Sequence, residues 1–387
     1  MYSAERALFE IRQGRPIWIR PEEGLETGDS SILAPVENLT ESYLDDLKGL
    51  SNTGLKLIIT SNRAKSLGLQ TPAMSDEKPQ AISIALEPNC DLDQLTLLAF
   101  GIYQSKDIEL GPASRAESES LSLLRLLRLI PAVVSCRMED NLKQTALDFT
   151  KEHDILTTTA SEIVKLTDAG NSKITRISEA TVPLKGSIDT SFILFRESNT
   201  LLEHLAVLVG SPEQWEDPVP IRIHSACLTG DLFNSLKCDC GEQLHKSLDY
   251  FSENNGGIFL YLNQEGRGIG LSNKLRAYQF QQLGLDTIDA DCALGFQSDE
   301  RDYNVGMKIL NELEVNRILI LTNNPDKLSW AENAGLEVVG RMPLYGEANE
   351  YNLPYVHTKI ERAGHFLEEM IAKKPNRPAA TLPERNS

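Results

Sequence analysis

Arg222 to Leu244 reads R-I-H-S-A-C-L-T-G-D-L-F-N-S-L-K-C-D-C-G-E-Q-L and holds three of the chain's six cysteines, Cys227, Cys238 and Cys240, at the spacing C-x10-C-x-C. Thiolates are soft ligands for Zn²⁺, and three protein ligands leave the fourth tetrahedral position open for a water that the metal acidifies. That is the ligand count of a catalytic zinc. A structural zinc would want a fourth ligand, which His224, three residues before Cys227, could supply. The spacing also allows three reduced, buried cysteines that bind nothing. Asp231, Asp239 and Gly241 favour a metal, because they set turns and polar groups beside the thiols where a buried apolar cysteine needs neither.

Outward from the cysteines, the pattern is that of an α/β fold. Upstream, Phe192 to Phe195, His204 to Val209 and Ile221 to His224 read as strands, the last running directly into the cysteine stretch. Downstream, Ile258 to Leu262 is a compact β run that feeds N-Q-E-G-R-G-I-G-L-S-N-K-L-R-A-Y, Asn263 to Tyr278. Gly266, Gly268 and Gly270 lie there between a strand and a helix, where backbone N–H groups can approach an anion closely and the helix adds its N-terminal dipole. Arg267 and Lys274 supply positive charge. The helix runs from Leu271 to Leu283 and ends at Gly284, an expected C-cap residue. A further helix over Val305 to Leu313 and a strand over Arg317 to Leu321 repeat the strand, loop and helix order, so that the loops gather at one sheet edge. Thr287, Asp299, Arg301, Thr322 and Lys327 fall in those loops.

A chain of 387 residues is long enough for two domains, each with its own core. The first half is α/β (or α+β) as well, with strands expected at Arg15 to Arg20, Leu55 to Thr60, Ala81 to Ala85 and Ala132 to Ser135. Leu121, Leu123, Leu124, Leu127 and Ile130 make an apolar helix face that Pro131 stops. This half carries no G-x-x-x-x-G-K-[ST] phosphate loop and no dinucleotide fingerprint. Loop-like stretches at Lys185 to Thr190 and Gly210 to Pro220 place the junction near residue 195. The expected layout is therefore 1–195, 196–368 and a polar, proline-rich, disordered tail over 369–387.

The formal net charge of −18 opposes binding to a nucleic acid polymer by phosphate neutralisation, but leaves room for a small anionic substrate held by a local basic cluster. No apolar run approaches the ~18 residues of a membrane span. The N-terminus, M-Y-S-A-E-R-A-L-F-E-I-R, mixes both charge signs without an apolar signal core, so a cytoplasmic protein is expected, and unpaired thiols in a C-x-C suit that reducing compartment.

R-I-H-S-x-C-L-T-G-D and S-L-K-C-D-C-G-x-Q-L resemble the zinc-binding signature of the GTP cyclohydrolase II family, and E-G-R-G-I-G-L-x-N-K-x-R-A-Y follows in that family's register. The first half resembles a degenerate 3,4-dihydroxy-2-butanone 4-phosphate synthase. Where that family carries D-D-E-D-R-E-N-E-G-D, this chain has R-P-E-E-G-L-E-T-G-D, keeping only Glu22, Gly28 and Asp29. The expectation is a retained fold without the synthase activity.

The resemblance implies one Zn²⁺ per subunit on Cys227, Cys238 and Cys240, Mg²⁺ with the nucleotide, and a homodimer. It implies hydrolysis of GTP to 2,5-diamino-6-(5-phospho-ribosylamino)pyrimidin-4(3H)-one, formate and diphosphate, the first step of riboflavin biosynthesis. It makes Arg301 the group that attacks the α-phosphate, Asp299 its proton acceptor and Tyr278 a third catalytic position. Arg222, Ile223, His224, Ser225, Ala226, Gln243, Glu265, Gly266, Arg267, Thr287, Thr322 and Lys327 would line the substrate pocket. Two departures bear on substrate choice: Ala226 replaces the usual glutamate of S-E-C-L-T-G-D, and Asn263 stands where arginine is common. A relative that opens another ring, such as that of UMP in pyrimidine catabolism, and a catalytically silent scaffold for riboflavin enzymes are the alternatives.

Overall fold

The computed structural model of the chain describes residues 2–22, 29–70, 79–104, 108–138, 143–187, 189–367 and 370. The chain forms two compact units, and each holds one seven-stranded sheet.

The first unit comprises Met1–Lys173, Ser198–Leu201 and Gly266–Asp302. Its strands are β1 (Ile17–Arg20), β2 (Ser31–Pro35), β3 (Lys56–Thr60), β4 (Ala81–Ala85), β5 (Leu110–Pro112), β6 (Ala132–Arg137) and β7 (Leu156–Thr159), in the spatial order β5-β4-β3-β6-β2-β1-β7. All neighbours are antiparallel except the parallel pair β1 and β7. Local chemistry fixes where the helices start. Asp91 with Gln94, Ser114 with Glu117 and Thr159 with Glu162 form reciprocal capping boxes that open Leu92–Phe100, Arg115–Leu126 and Ala160–Thr167. The Arg115–Leu126 helix turns Leu121, Leu123 and Leu124 inward, the face its spacing predicts.

The second unit comprises Ile174–Glu197, Leu202–Glu265 and Tyr303–Ser387. Its strands are β8 (Ile174–Thr181), β9 (Thr190–Glu197), β10 (Glu203–Val209), β11 (Val219–Ser225), β12 (Gly257–Leu262), β13 (Arg317–Leu321) and β14 (Glu337–Met342), in the order β14-β13-β11-β12-β10-β9-β8. From β14 to β12 the neighbours are parallel, and from β12 to β8 they are antiparallel. The buried central strands read as continuous apolar runs, as two covered faces require.

Two expectations change. The unit boundary lies between Lys173 and Ile174, not near 195, because β8 and β9 pair with each other and, through β9, with β10. Residues 266–302, expected within 196–368, belong to the first unit, where Ile269, Ala277, Phe280, Leu294 and Phe296 join one apolar cluster with Trp18, Leu57, Ile59 and Val134. The expected tail lies outside the described residues apart from Met370. Among the described residues no helix is long and apolar enough to cross a membrane.

Candidate active site

β11 runs into the cysteines as its sequence predicts, and the following turn builds the cluster. The sulfur atoms of Cys227, Cys238 and Cys240 all lie within 4.8 Å of one another, and Cys227 Sγ is 3.6 Å from Cys238 Sγ. Gly230 makes this possible. A Cβ there would sit 2.8 Å from Cys238 Sγ and 3.1 Å from Cys227 Sγ. Gly241 repeats the device, since its Cβ would meet the Gly230 carbonyl oxygen at 2.4 Å. Packed against Cys227, the Cys238 thiol is pushed up to about 11, and Cys240 lies well above the ordinary thiol range beside both. Three thiols this close are a donor set that a soft divalent cation would fit, since a bound cation favours the thiolate form.

His224 is turned toward Asp231 and does not join the sulfur cluster. Among the described residues the cluster consists of the three cysteines. His224 Nε2 lies 3.0 Å from Asp231 Oδ1, and its ring stacks on Tyr261 at 5.7 Å. Burial lowers its pKa, against the opposing pull of Asp231, so the imidazole is neutral near pH 7. Asp231 Oδ2 accepts from the Cys227 amide and from Tyr261 Oη, each at 2.9 Å. Glu265 Oε2 accepts from the next amide, Leu228, at 2.6 Å. Two carboxylates thus hold consecutive amides at the first cysteine and orient its sulfur.

Beneath the cluster runs a buried polar chain. Arg222 donates through Nη1 to the Leu321 carbonyl at 2.8 Å and through Nη2 to Gln243 Oε1 at 2.6 Å. Gln243 Nε2 donates to Asp239 Oδ2 at 2.6 Å, and Lys359 Nζ donates to Asp239 Oδ1 at 3.1 Å. Lys327 Nζ donates to the Ile223 carbonyl at 2.8 Å and stands 5.3 Å from the Tyr303 ring centroid. Thr322 Oγ1 accepts from the Asn324 amide at 3.1 Å, and the Ala226 amide donates to the Leu262 carbonyl at 2.8 Å. Ala226 and Thr322 directly follow the parallel strands β11 and β13, and Leu262 ends β12, at the carboxyl ends where open α/β sheets place ligands. Arg222 Nε, His224 Nδ1 and Ser225 Oγ are buried there without a hydrogen-bond partner among the described residues. Such orphans along the second half of β11 are unmet polar capacity.

The other expected site residues belong to the first unit. Gly266, Arg267, Gly268 and Gly270 all have positive φ, at 62°, 57°, 93° and 87°. The Arg267 carbonyl accepts from the Glu300 amide at 3.0 Å, and a Cβ on Gly268 would meet the Glu300 carbonyl at 2.6 Å. Asp299 and Arg301 are brought together, with Arg301 Nε 2.8 Å from Asp299 Oδ1 and its Nη2 bonded to Oδ2. Desolvation pushes the Asp299 carboxyl up, but the Arg301 guanidinium outweighs it and holds the group below the usual carboxylate range. Asp291 lies 4.0 Å from Arg267 Nη1, and burial raises it to about 8. Tyr278 is half-buried on the Leu271–Gln282 helix, and Thr287 opens the Thr287–Ala293 helix behind its Asp286 cap.

Sequence reading passed over Glu300, Tyr261 and Lys359. Lys359 did leave a signal, since it falls on the apolar face of the Leu353–Ala363 helix beside Val356. Of the synthase-like acids, Glu22 accepts from the Ser161 amide at 2.9 Å and Asp29 from the Ala116 amide at 2.6 Å, so each anchors a helix start. Gly28 lies outside the described residues.

Residues 175–343 match the family model described as GTP cyclohydrolase II. A GTP cyclohydrolase-2 from Azospirillum brasilense is 37% identical over 382 residues, covering 95% of this chain and 94% of the relative. The riboflavin biosynthesis protein RibBA of Synechocystis sp. is 34% identical over 346 residues, covering 85% of this chain and 62% of that protein. A solved two-domain 3,4-dihydroxy-2-butanone 4-phosphate synthase from A. baumannii is 14% identical and covers 89% of this chain and 99% of its own, with a TM-score of 0.32, too loose a superposition to assign a fold.

Proposed function

Since this chain belongs to the GTP cyclohydrolase II family, we propose that it is a zinc-dependent enzyme of riboflavin biosynthesis that hydrolyses GTP to 2,5-diamino-6-(5-phospho-ribosylamino)pyrimidin-4(3H)-one, formate and diphosphate. The observation that carries this reading is the trio of cysteine sulfurs within 4.8 Å of one another beside orphaned polar atoms at the end of β11. Zinc held by Cys227, Cys238 and Cys240 would supply Lewis acidity toward water at neutral pH.

The chain's own residues do the rest. Asp231 and Glu265 fix the Cys227 turn through its two amides. Neutral His224 and Arg222 offer Nδ1 and Nε to the nucleotide. Arg301 forms a bond from guanidinium nitrogen to the α-phosphorus as the bond to diphosphate breaks, and Asp299 takes the guanidinium proton. A free guanidinium stays protonated and is a poor nucleophile. The 2.8 Å hydrogen bond from Arg301 Nε to Asp299 supports this pairing of roles. Water then cleaves the phosphorus–nitrogen bond, which restores Arg301 and leaves the monophosphate. Mg²⁺ accompanies the triphosphate, and the working form is a homodimer.

The test is formate and diphosphate release by purified protein with Zn²⁺ and Mg²⁺, offered GTP and UMP in parallel. Both products from GTP alone are expected. Consumption of UMP with GTP inert would move the reaction to a pyrimidine ring and make Ala226 a substrate-determining change; inertness toward both would favour a silent scaffold.

A further inference from the structure

The first unit carries polar contacts to residues 266–302 that none of the reaction roles above accounts for. Arg125, in the last turn of the Arg115–Leu126 helix, donates from Nε to Glu300 Oε1 at 3.0 Å and from Nη2 to Oε2 at 2.9 Å. This is a two-pronged guanidinium–carboxylate pair, the geometry that fixes orientation best. It is largely sheltered, with the Glu300 side chain 11% exposed and that of Arg125 24%. Glu300 stands between Asp299 and Arg301 in the chain. Its carboxylate also accepts from the Gln297 amide at 2.8 Å, and its own amide donates to the Arg267 carbonyl at 3.0 Å. One residue therefore ties together the glycine loop, the turn bearing the acid–base pair, and a helix of the synthase-like domain.

The same segment is fixed elsewhere on that domain. Thr60 Oγ1 donates to the Gly295 carbonyl at 2.8 Å, buried Arg63 donates from Nη1 to the Ala293 carbonyl at 2.9 Å, and Asn62 Nδ2 donates to the Phe296 carbonyl at 2.7 Å. These bonds run from the end of β3 and the Ser61–Ser66 helix that follows it to the backbone just ahead of Asp299. A domain that has lost its synthase letters still supplies side chains aimed at another segment's carbonyls.

We propose that Arg125 is a positioning residue for the Asp299–Arg301 pair, acting through Glu300, and that the synthase-like domain serves this chain as the mount of its phosphate-handling segment. The proposal rests on the reading of Asp299 and Arg301 as the groups that act on the phosphates. Because displacement of a reacting group by about 1 Å costs on the order of 100-fold in rate, the effect belongs in kcat rather than in binding.

The test uses the full-length, zinc-loaded protein with GTP, following diphosphate and formate separately. Arg125→Ala is expected to lower kcat for diphosphate release about 10- to 100-fold, with the KM for GTP, the zinc content and the melting temperature near wild type. Arg125→Lys, which keeps the charge and loses the two-pronged bond, should fall between. The exchanged pair Arg125→Glu with Glu300→Arg should recover much of the rate, and it decides the matter if Arg125→Ala fails to fold. A wild-type kcat in Arg125→Ala while Asp299→Asn is inactive would overturn the proposal and leave the functional reading standing. So would a rate loss that tracks melting temperature and is not recovered by the exchange. Full activity in Asp299→Asn would remove the reading of Asp299 and Arg301 as the groups that act on the phosphates, and the proposal with it, while leaving the proposed hydrolysis of GTP standing.

Discussion

Gly230 marks how little room the cysteine cluster leaves. A methyl group there falls within 3.1 Å of two sulfur atoms and 3.0 Å from Cys240 Cβ. Gly230→Ala is therefore expected to spread the three sulfurs and weaken zinc retention while much of the fold remains, read as zinc content after dialysis against a chelator; full retention would show that the turn yields. Cys238→Ser should remove zinc and formate release together, and activity with zinc at full occupancy would refute the ligand assignment. A third expectation concerns pH. The Asp291 carboxyl is raised to about 8 by burial, so the folded chain binds a proton there that the unfolded chain releases near pH 4. Its contribution to stability is greatest in acid and falls as pH climbs through that window. Asp291→Asn should flatten this dependence, so its melting temperature gains on wild type between pH 5 and pH 8, and parallel curves would count against it.

At the scale of elements, the Cys240–Glu253 helix begins at Asp239 without a side-chain cap bond. Asp239 instead serves Gln243 and Lys359, fully inside the unit. Burial raises Asp239 and lowers Lys359, but their mutual attraction wins in both, leaving the acid below and the lysine above its ordinary range. Lys359→Met strands a buried carboxylate and is expected to cost about 3–5 kcal/mol of unfolding free energy, measured in urea; adding Asp239→Asn should return part of that loss. Sequence reading located the elements that bury apolar side chains. Arg317 to Leu321 and Ile258 to Leu262 were legible because two covered faces leave uninterrupted apolar runs. β8 was not, since I-T-R-I-S-E-A-T is exposed along nearly its whole length and is held by backbone pairing to β9, which no side-chain pattern records. Missing it set the expected junction about twenty residues late. The cysteine cluster was legible because ligand spacing is local, whereas the assignment of His224 turned on Asp231, whose contact depends on the fold of the turn.

Over the whole molecule, the first unit holds both residues 1–173 and the segment with Tyr278, Asp299 and Arg301. Periodicity shows that Ala277 and Phe280 face a core; it cannot show whose core. The three cysteines are proposed to hold one zinc, with ring opening depending on it. The most direct test of this is to strip the purified protein of metal, add Zn²⁺ stepwise, and follow formate released from GTP. Activity should be absent without metal and rise in proportion to zinc up to one equivalent per chain, then stop. Formate release from metal-free protein, or zinc bound at one equivalent with none released, would contradict it.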